Sequence, residues 1–140
     1  MPCRGFSASR SVCAKLRART RERSHVTSEG DGKRIVGPRT NAYMTADHLD
    51  ASIAPGPLYL PGAGFGFGLG FAVRKDVGVS PFLGSAGEYN WGGAGGTYFW
   101  VDPQQDLFVV FMMQSPKQRL PYRQTLKAMV YSAIAKPGAK

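Results

Sequence analysis

Three apolar runs between residues 62 and 114 determine the expected fold. They cover residues 65–73, 98–101 and 107–113, are rich in aromatic and β-branched side chains, and are bounded by Gly, Pro and Asp. This composition is typical of β-strands separated by turns. The pattern therefore predicts an antiparallel sheet in which residues 65–73 form a single strand.

The last two of these runs are joined by a short polar segment. Pro103 lies in this segment between Asp102 and Asp106. Proline at a turn position with aspartate nearby is typical of a tight reversal of the chain. We therefore predict a β-hairpin that turns within residues 101–106.

Two helices are predicted beside the sheet. Pro38 suits the first position of a helix, which we expect to continue to about Asp47. In residues 122–135, apolar residues recur at spacings of three and four, the pattern of an amphipathic helix. Its apolar face is expected to contain Leu126, Met129, Val130, Ala133 and Ile134. The fold class is therefore α+β, an antiparallel sheet with flanking helices.

Residues 1–29 are predicted to be a disordered basic tail, and residues 30–140 the folded domain. Residues 1–34 contain nine Lys and Arg against three Asp and Glu, so they carry +6 of the net charge of +9. A segment with this much charge and few apolar residues buries too little apolar surface to offset the conformational entropy that its backbone would lose on folding. Organellar transit peptides share this composition, and clustered arginines can also contact phosphates, but no aromatic side chain is interleaved with the basic run for base stacking.

Several kinds of site are not supported by the sequence. His25 and His48 have no Cys or His partner at ligand spacing, so we predict no metal site, and no cofactor is predicted either. No apolar run reaches the roughly 20 residues that span a bilayer, and none forms the apolar centre of a secretory signal. We therefore expect no membrane contact, and a cytoplasmic location is favoured.

Glycines alternate with apolar residues throughout residues 62–71. They do not fit the G-x-G-x-x-G spacing of a nucleotide-binding loop, because Phe67, Leu69 and Phe71 stand where the third glycine belongs. In a strand, the same alternation places every glycine on one face. We therefore expect a bare backbone face against which another element packs closely.

Two glycine-rich segments carry a resemblance to a known family. Residues 66–73 read Gly-Phe-Gly-Leu-Gly-Phe-Ala-Val, and residues 91–103 read Trp-Gly-Gly-Ala-Gly-Gly-Thr-Tyr-Phe-Trp-Val-Asp-Pro. Together with residues 32–40, they resemble the C-terminal part of the serine β-lactamase-related family, which includes class C β-lactamases, penicillin-binding DD-peptidases and related esterases. The resemblance covers about residues 30–135 and implies a partial β-lactamase/transpeptidase-like domain.

The resemblance also implies a candidate site. Trp91, Gly92 and Gly93 occupy the place of the family's Lys-Thr-Gly motif, as in its esterase-like branch, and the N–H of Ala94 would be one donor of an oxyanion hole. These four residues would form one wall of a site for a small-molecule ester or amide, once the missing N-terminal part completes it. A second interpretation is structural, with Trp91 as a core aromatic and the glycines as a bulge.

Side-chain size predicts the surroundings of this segment. Gly92, Gly93, Gly95 and Gly96 would leave a void in a close-packed interior unless another element came very near. A cleft needs no such partner. We therefore expect the segment to lie at a strand edge that faces a cleft.

The catalytic motifs of the family are absent from the sequence. No Ser is followed by Lys three positions later, and no Tyr is followed by Asn two positions later. We therefore assign no catalytic residue, and we expect the chain to be inactive alone because nucleophile, base and oxyanion donor act as a unit. The main hypothesis is a C-terminal fragment of a serine hydrolase. The alternative is a non-catalytic module whose glycine face and basic tail bind a protein or, less favoured, a nucleic acid.

Overall fold

The computed structural model describes residues 14–16, 29–30, 33–50, 52–53 and 59–134. Its strands are β1 (Ala14–Leu16), β2 (Glu29–Gly30), β3 (Lys33–Arg34), β4 (Phe65–Phe67), β5 (Ala72–Arg74), β6 (Tyr89–Gly92), β7 (Tyr98–Asp102) and β8 (Leu107–Phe111). Its α-helices are α1 (Pro38–Met44) and α2 (Arg119–Ser132), and a 3-10 turn, Pro116–Gln118, leads into α2.

Most of the strands form one antiparallel sheet, with the order β1-β8-β7-β6-β5-β4, while β2 and β3 pair separately. From β4 to β8, strands that are consecutive in the chain are neighbours in the sheet, so they form a simple meander. The hairpin between β7 and β8 confirms the predicted turn, since Asp102 lies opposite Leu107. The predicted α+β fold is therefore confirmed.

One segment of the predicted tail lies in the sheet. β1 runs antiparallel to β8, from Ala14 opposite Phe111 to Leu16 opposite Val109. The exposed edge of β8 offers unpaired backbone groups, which can pair with a segment of almost any composition. The structure thus has a strand at residues 14–16, where disorder was predicted. Residues 1–13 and 17–28 lie outside the described residues, so the boundary at residue 29 stays a prediction.

The prediction of one strand over residues 65–73 is wrong, because the chain reverses in the middle. β4 and β5 pair antiparallel with Phe67 opposite Ala72, and residues 68–71 form the turn. Gly70 has a φ of 93°, a left-handed conformation that glycine adopts without strain. The glycines that suggested a flat strand face therefore also supply a turn.

The predicted close approach to the glycine face is found at Gly66 and Gly68. A Cβ at Gly66 would overlap the Asp47 side chain, and a Cβ at Gly68 would overlap the carbonyl oxygen of Met44. Asp47 Oδ1 accepts a hydrogen bond of 3.0 Å from the N–H of Phe67. The absence of side chains therefore lets the segment after α1 bond directly to the β4–β5 hairpin.

The apolar core lies between α2 and one face of the sheet. Trp100, Leu107 and Val109 from β7 and β8 form a buried cluster with Val130 of α2. Tyr98, Leu126, Tyr131 and Ile134 pack against this cluster. Neither helix of the described part is both long and apolar enough to cross a membrane.

Helix α2 confirms the predicted helix but not the whole of its predicted face. It begins at Arg119 rather than at residue 122. Met129 is 64 % exposed, and Ala133 is exposed as well. Lys127 is instead buried against the sheet. The helix therefore presents a charged side chain to the interior at a position where the hydrophobic pattern predicted none.

Candidate functional site

The last two residues of β6, Trp91 and Gly92, extend beyond the end of the neighbouring strand β5. β5 pairs with β6 only up to Ala72 opposite Asn90, whereas β7 continues alongside to Tyr98 opposite Gly92. No strand in the described ranges pairs with this end of β6 on the β5 side. The end of an interior strand is thus a local sheet edge.

A glycine-rich turn, residues 93–97, follows this edge. The N–H of Gly93 donates to the carbonyl oxygen of Thr97 at 2.9 Å, and the N–H of Gly96 donates to that of Gly93 at 3.1 Å. Ala94 is exposed at the tip, and its N–H finds no acceptor within the part of the chain that the structure describes. The turn therefore presents a backbone donor that an oxygen atom of a ligand can reach.

A groove of about 270 Å³ lies along one side of the segment. Its lining consists of Trp91, Gly92, Gly93, Thr97, Tyr98, Phe99, Val110 and Met112. The Trp91 ring packs edge-on against Phe67, with ring centroids 5.2 Å apart, which fixes the wall that it forms. Aromatic and aliphatic walls beside exposed backbone groups are typical of a site for a small, partly apolar molecule.

Arg123 of α2 closes the other side of the segment. Its Nη2 donates to the carbonyl oxygens of Gly93 at 3.3 Å and Thr97 at 3.0 Å. Its guanidinium lies 4.7 Å from the centre of the Tyr98 ring, and a Cβ at Gly92 would overlap it. The segment therefore has a groove on one side and a tightly packed arginine on the other.

We expected the four glycines because the segment would face a cleft with nothing packed against it. That reason is wrong, because other groups lie close to these glycines. A Cβ at Gly93 would lie 2.5 Å from Thr97 Oγ1, and a Cβ at Gly95 would lie 2.8 Å from Gln114 Oε1. Gly96 has a φ of 118°, which side-chain-bearing residues rarely adopt. Close approach and turn geometry therefore account for glycine at these positions.

A buried charge cluster that the sequence analysis did not single out lies between the sheet and α2. It consists of Arg74, Glu88, Asp102 and Lys127, with the hydroxyl of Tyr131. The four charged residues are each 0 or 1 % exposed, and their two positive charges balance their two negative charges. A buried charge is tolerated only when it is paired and hydrogen-bonded, so these residues depend on one another.

Glu88 is the centre of this cluster. Its Oε1 pairs with Lys127 Nζ, and its Oε2 lies 3.5 Å from Arg74 Nη2. Tyr131 donates its hydroxyl proton to Asp102 Oδ2 at 2.7 Å. Burial raises the pKa of Glu88 and lowers the pKa of Lys127. Both shifts have the same cause. Burial removes water from the charged form of each group, and this destabilises the charged forms more than the attraction between them stabilises them.

The cluster ties the loop before β6 to the sheet and to α2. Arg74 donates to the carbonyl oxygens of Phe82 at 2.9 Å and Leu83 at 3.1 Å, and Lys127 Nζ also donates to Leu83 at 3.3 Å. Because its charged groups are shielded from solvent, the cluster fixes where β6 begins rather than meeting a substrate. Helical spacing gives one signal for it, since Lys127 and Tyr131 lie four residues apart and therefore on one face of α2.

Comparisons with known proteins agree with this architecture. Residues 16–131 match the family described as Beta-lactamase. "Uncharacterized protein MT1414" and "Protein Rv1367c", from the CDC 1551 / Oshkosh and H37Rv strains of Mycobacterium tuberculosis, are each 33 % identical to this chain over 92 residues. That alignment covers 60 % of this chain and 22 % of each relative.

A solved structure is also similar. "EstCE1, a hydrolase with promiscuous acyltransferase activity" has a TM-score of 0.60 and 30 % identity, over 71 % of this chain and 26 % of that chain. The chain thus spans about a quarter of the length of the proteins that it matches.

Proposed function

Since this chain belongs to the beta-lactamase family, we propose that it contributes one wall of an ester or amide hydrolase site of the esterase-like kind. In this proposal, Trp91, Gly92 and Gly93 line the place of the acyl substrate, and the N–H of Ala94 is one donor of the oxyanion hole. The similarity to EstCE1, a hydrolase, favours this chemistry over a purely structural role for the segment.

The exposed N–H of Ala94 carries the proposal. Acyl transfer develops negative charge on the former carbonyl oxygen, and preorganised N–H donors stabilise that charge without reorganising during the reaction. This N–H has no acceptor in the described part of the chain and follows directly on Gly93, which lines the groove. It is thus free to donate to an oxygen atom of a substrate that reaches the tip of the turn.

The groove gives the proposal a substrate class. Among the described residues, its lining of aromatic, aliphatic, glycine and threonine residues includes no charged group to bind an ionic substrate. A volume of about 270 Å³ lies just below the roughly 300–1,000 Å³ that is typical of small-molecule pockets. We therefore propose a neutral, partly apolar ester or amide as the substrate of the completed site.

The purified chain should hydrolyse neither a p-nitrophenyl ester nor a chromogenic β-lactam faster than buffer does. It lacks the Ser-x-x-Lys and Tyr-x-Asn motifs, and an oxyanion donor without an activated nucleophile gives little turnover. Initial rates across a range of substrate concentrations test this expectation. A saturable rate that disappears when one serine of this chain is mutated would contradict it.

The wall itself can be tested in a chimera. Residues 89–132 of this chain, which hold β6, the glycine turn, β7, β8 and α2 with Arg123, would replace the aligned residues of EstCE1. If these residues form a functional wall, the chimera should keep measurable hydrolase activity towards a substrate of its parent. A chimera that folds with the parent's thermal stability yet has no activity would count against the proposed function.

A further inference from the structure

Arg123 links α2 to both ends of the glycine-rich turn, although it lies 30 residues further along the chain than Gly93. Its Nη2 donates to the carbonyl oxygens of the first and last residues of the turn, Gly93 and Thr97. Those two oxygens also accept the backbone hydrogen bonds that close the turn. One guanidinium therefore holds the two carbonyl groups that define the turn's shape.

The surroundings of Arg123 direct its hydrogen bonds to this turn. No carboxylate of the described chain pairs with it, and its buried Nε has no partner there. The Tyr98 ring covers one face of the guanidinium at 4.7 Å, which holds it by a cation–π contact. Gly92 leaves the space that the guanidinium fills. Its position is thus fixed by packing rather than by an ion pair.

Peptide geometry connects Arg123 to the candidate oxyanion donor. The carbonyl group of Gly93 and the N–H of Ala94 belong to the same planar peptide unit, and no cis peptide bond occurs in the described chain. In a trans peptide, the C=O and N–H point in opposite directions. When the Gly93 carbonyl points towards Arg123, the Ala94 N–H must point away from α2.

We infer that Arg123 is the positioning residue that sets the orientation of the Gly93–Ala94 peptide and so aims the Ala94 N–H at the substrate. The functional part of this inference rests on the proposed function, whereas the orientation itself does not. Loss of Arg123 removes the charge-assisted hydrogen bonds that oppose a rotation of this peptide. The turn then loses its fixed donor direction even if the sheet remains intact.

Nuclear magnetic resonance of the full chain tests the inference without any activity assay. In Arg123→Met, the residual dipolar coupling of the Ala94 N–H, which reports the direction of that bond, should change. Hydrogen exchange at the Gly93 N–H should become about 10- to 100-fold faster, as expected for loss of charge-assisted hydrogen bonds. The amides of β8 (Leu107–Phe111) should keep their couplings and exchange rates.

Three further variants separate positioning from general stability. Arg123→Lys keeps a positive donor and should restore the coupling in part, but its single ammonium group cannot reproduce the arginine fork. Gly92→Ala should disturb Ala94 as Arg123→Met does, because the new Cβ would displace the guanidinium, and the double variant should add nothing further. Arg119→Met, an exposed arginine of α2, is the matched control and should change nothing at Ala94.

An unchanged Ala94 coupling in both Arg123→Met and Gly92→Ala would overturn the inference. Equal acceleration of exchange at Gly93 and throughout β8 would also overturn it, since it would show a global loss of stability. If the coupling changes as expected but the EstCE1 chimera is inactive, the positioning of the peptide stands and the proposed hydrolase function fails.

Discussion

Replacing Lys127 with Met should lower the free energy of unfolding by about 3–5 kcal/mol, the usual cost of removing one partner from a buried ion pair. Lys127 and Glu88 are 1 % and 0 % exposed, so water cannot take the place of the lost partner. Methionine has a similar length and keeps most of the apolar contacts, so the substitution isolates the charge. The cluster would keep Arg74 as a cation against the carboxylates of Glu88 and Asp102.

Urea unfolding of the full chain measures this effect, and two variants control it. Lys117→Met removes an exposed lysine and should change stability by less than about 0.5 kcal/mol. Lys127→Met combined with Glu88→Gln should recover part of the loss, because the buried negative charge is removed together with its partner. A loss below about 1 kcal/mol for Lys127→Met alone would contradict the assignment of a coupled cluster.

The pH dependence of Lys127→Met has a definite sign. Burial already raises the pKa of Glu88, and removal of the nearest cation should raise it further. The folded variant then binds a proton more tightly than the unfolded chain, so protonation favours folding. The deficit relative to the wild type should therefore be largest at alkaline pH and shrink as the pH falls through the raised pKa of Glu88. A deficit equal at pH 8 and pH 5 would argue against a charge effect.

The sequence predicted well those elements whose conformation is determined by residues close together in the chain. The β7–β8 hairpin follows from Pro103 with aspartates nearby, and helix α2 follows from apolar spacing over four turns. In each case the signal lies within the element itself. Such local preferences agree with the final fold, which is expected of sequences whose local and global preferences are consistent.

The β4–β5 hairpin shows why a local pattern can fail. An alternation of glycine and apolar residues has the period of a strand, but the period does not reveal where the chain reverses. The reversal depends on Gly70 adopting a positive φ, but Gly62 and Gly64 of the same run also have positive φ without reversing the strand there, so the pattern does not single out Gly70. The strand pattern was therefore right on both sides of the turn and wrong at the turn.

The buried charge cluster could not be predicted from charge alone. Lys127 and Glu88 belong to a class of residue that is almost never fully buried without a partner. The two residues lie 39 positions apart, and only the packing of α2 on the sheet brings them together. The same holds for Arg123, whose contact with the turn depends on where the helix lies.

The shape of the candidate site could not be predicted from the sequence. The resemblance to a hydrolase family pointed to the segment from Trp91 to Ala94, and its role as a site stays a prediction. The sequence did not reveal that α2 closes one side of it through Arg123, or that Thr97 and Gln114 crowd the glycines. These contacts connect the stability of the α2 interface with the geometry of the turn.

The largest effect on activity is expected from Ala94→Pro in the EstCE1 chimera that carries residues 89–132. Proline has no backbone N–H, so the variant deletes the candidate oxyanion donor. Loss of one such donor typically lowers kcat about 10²- to 10³-fold. The donor acts mainly on the charge of the transition state, so kcat should fall while KM changes little.

Ala94→Ser is the matched control, because it keeps the N–H and adds only a small side chain at an exposed position. Both variants should melt close to the parent chimera, since Ala94 lies at the tip of a turn and its N–H takes part in no hydrogen bond within the described chain. Equal rates for the Pro and Ser variants would show that this N–H does not stabilise the transition state. A raised KM with an unchanged kcat in Ala94→Pro would instead make the turn a substrate-binding surface, because the lost interaction would then be equally strong in the ground state and the transition state.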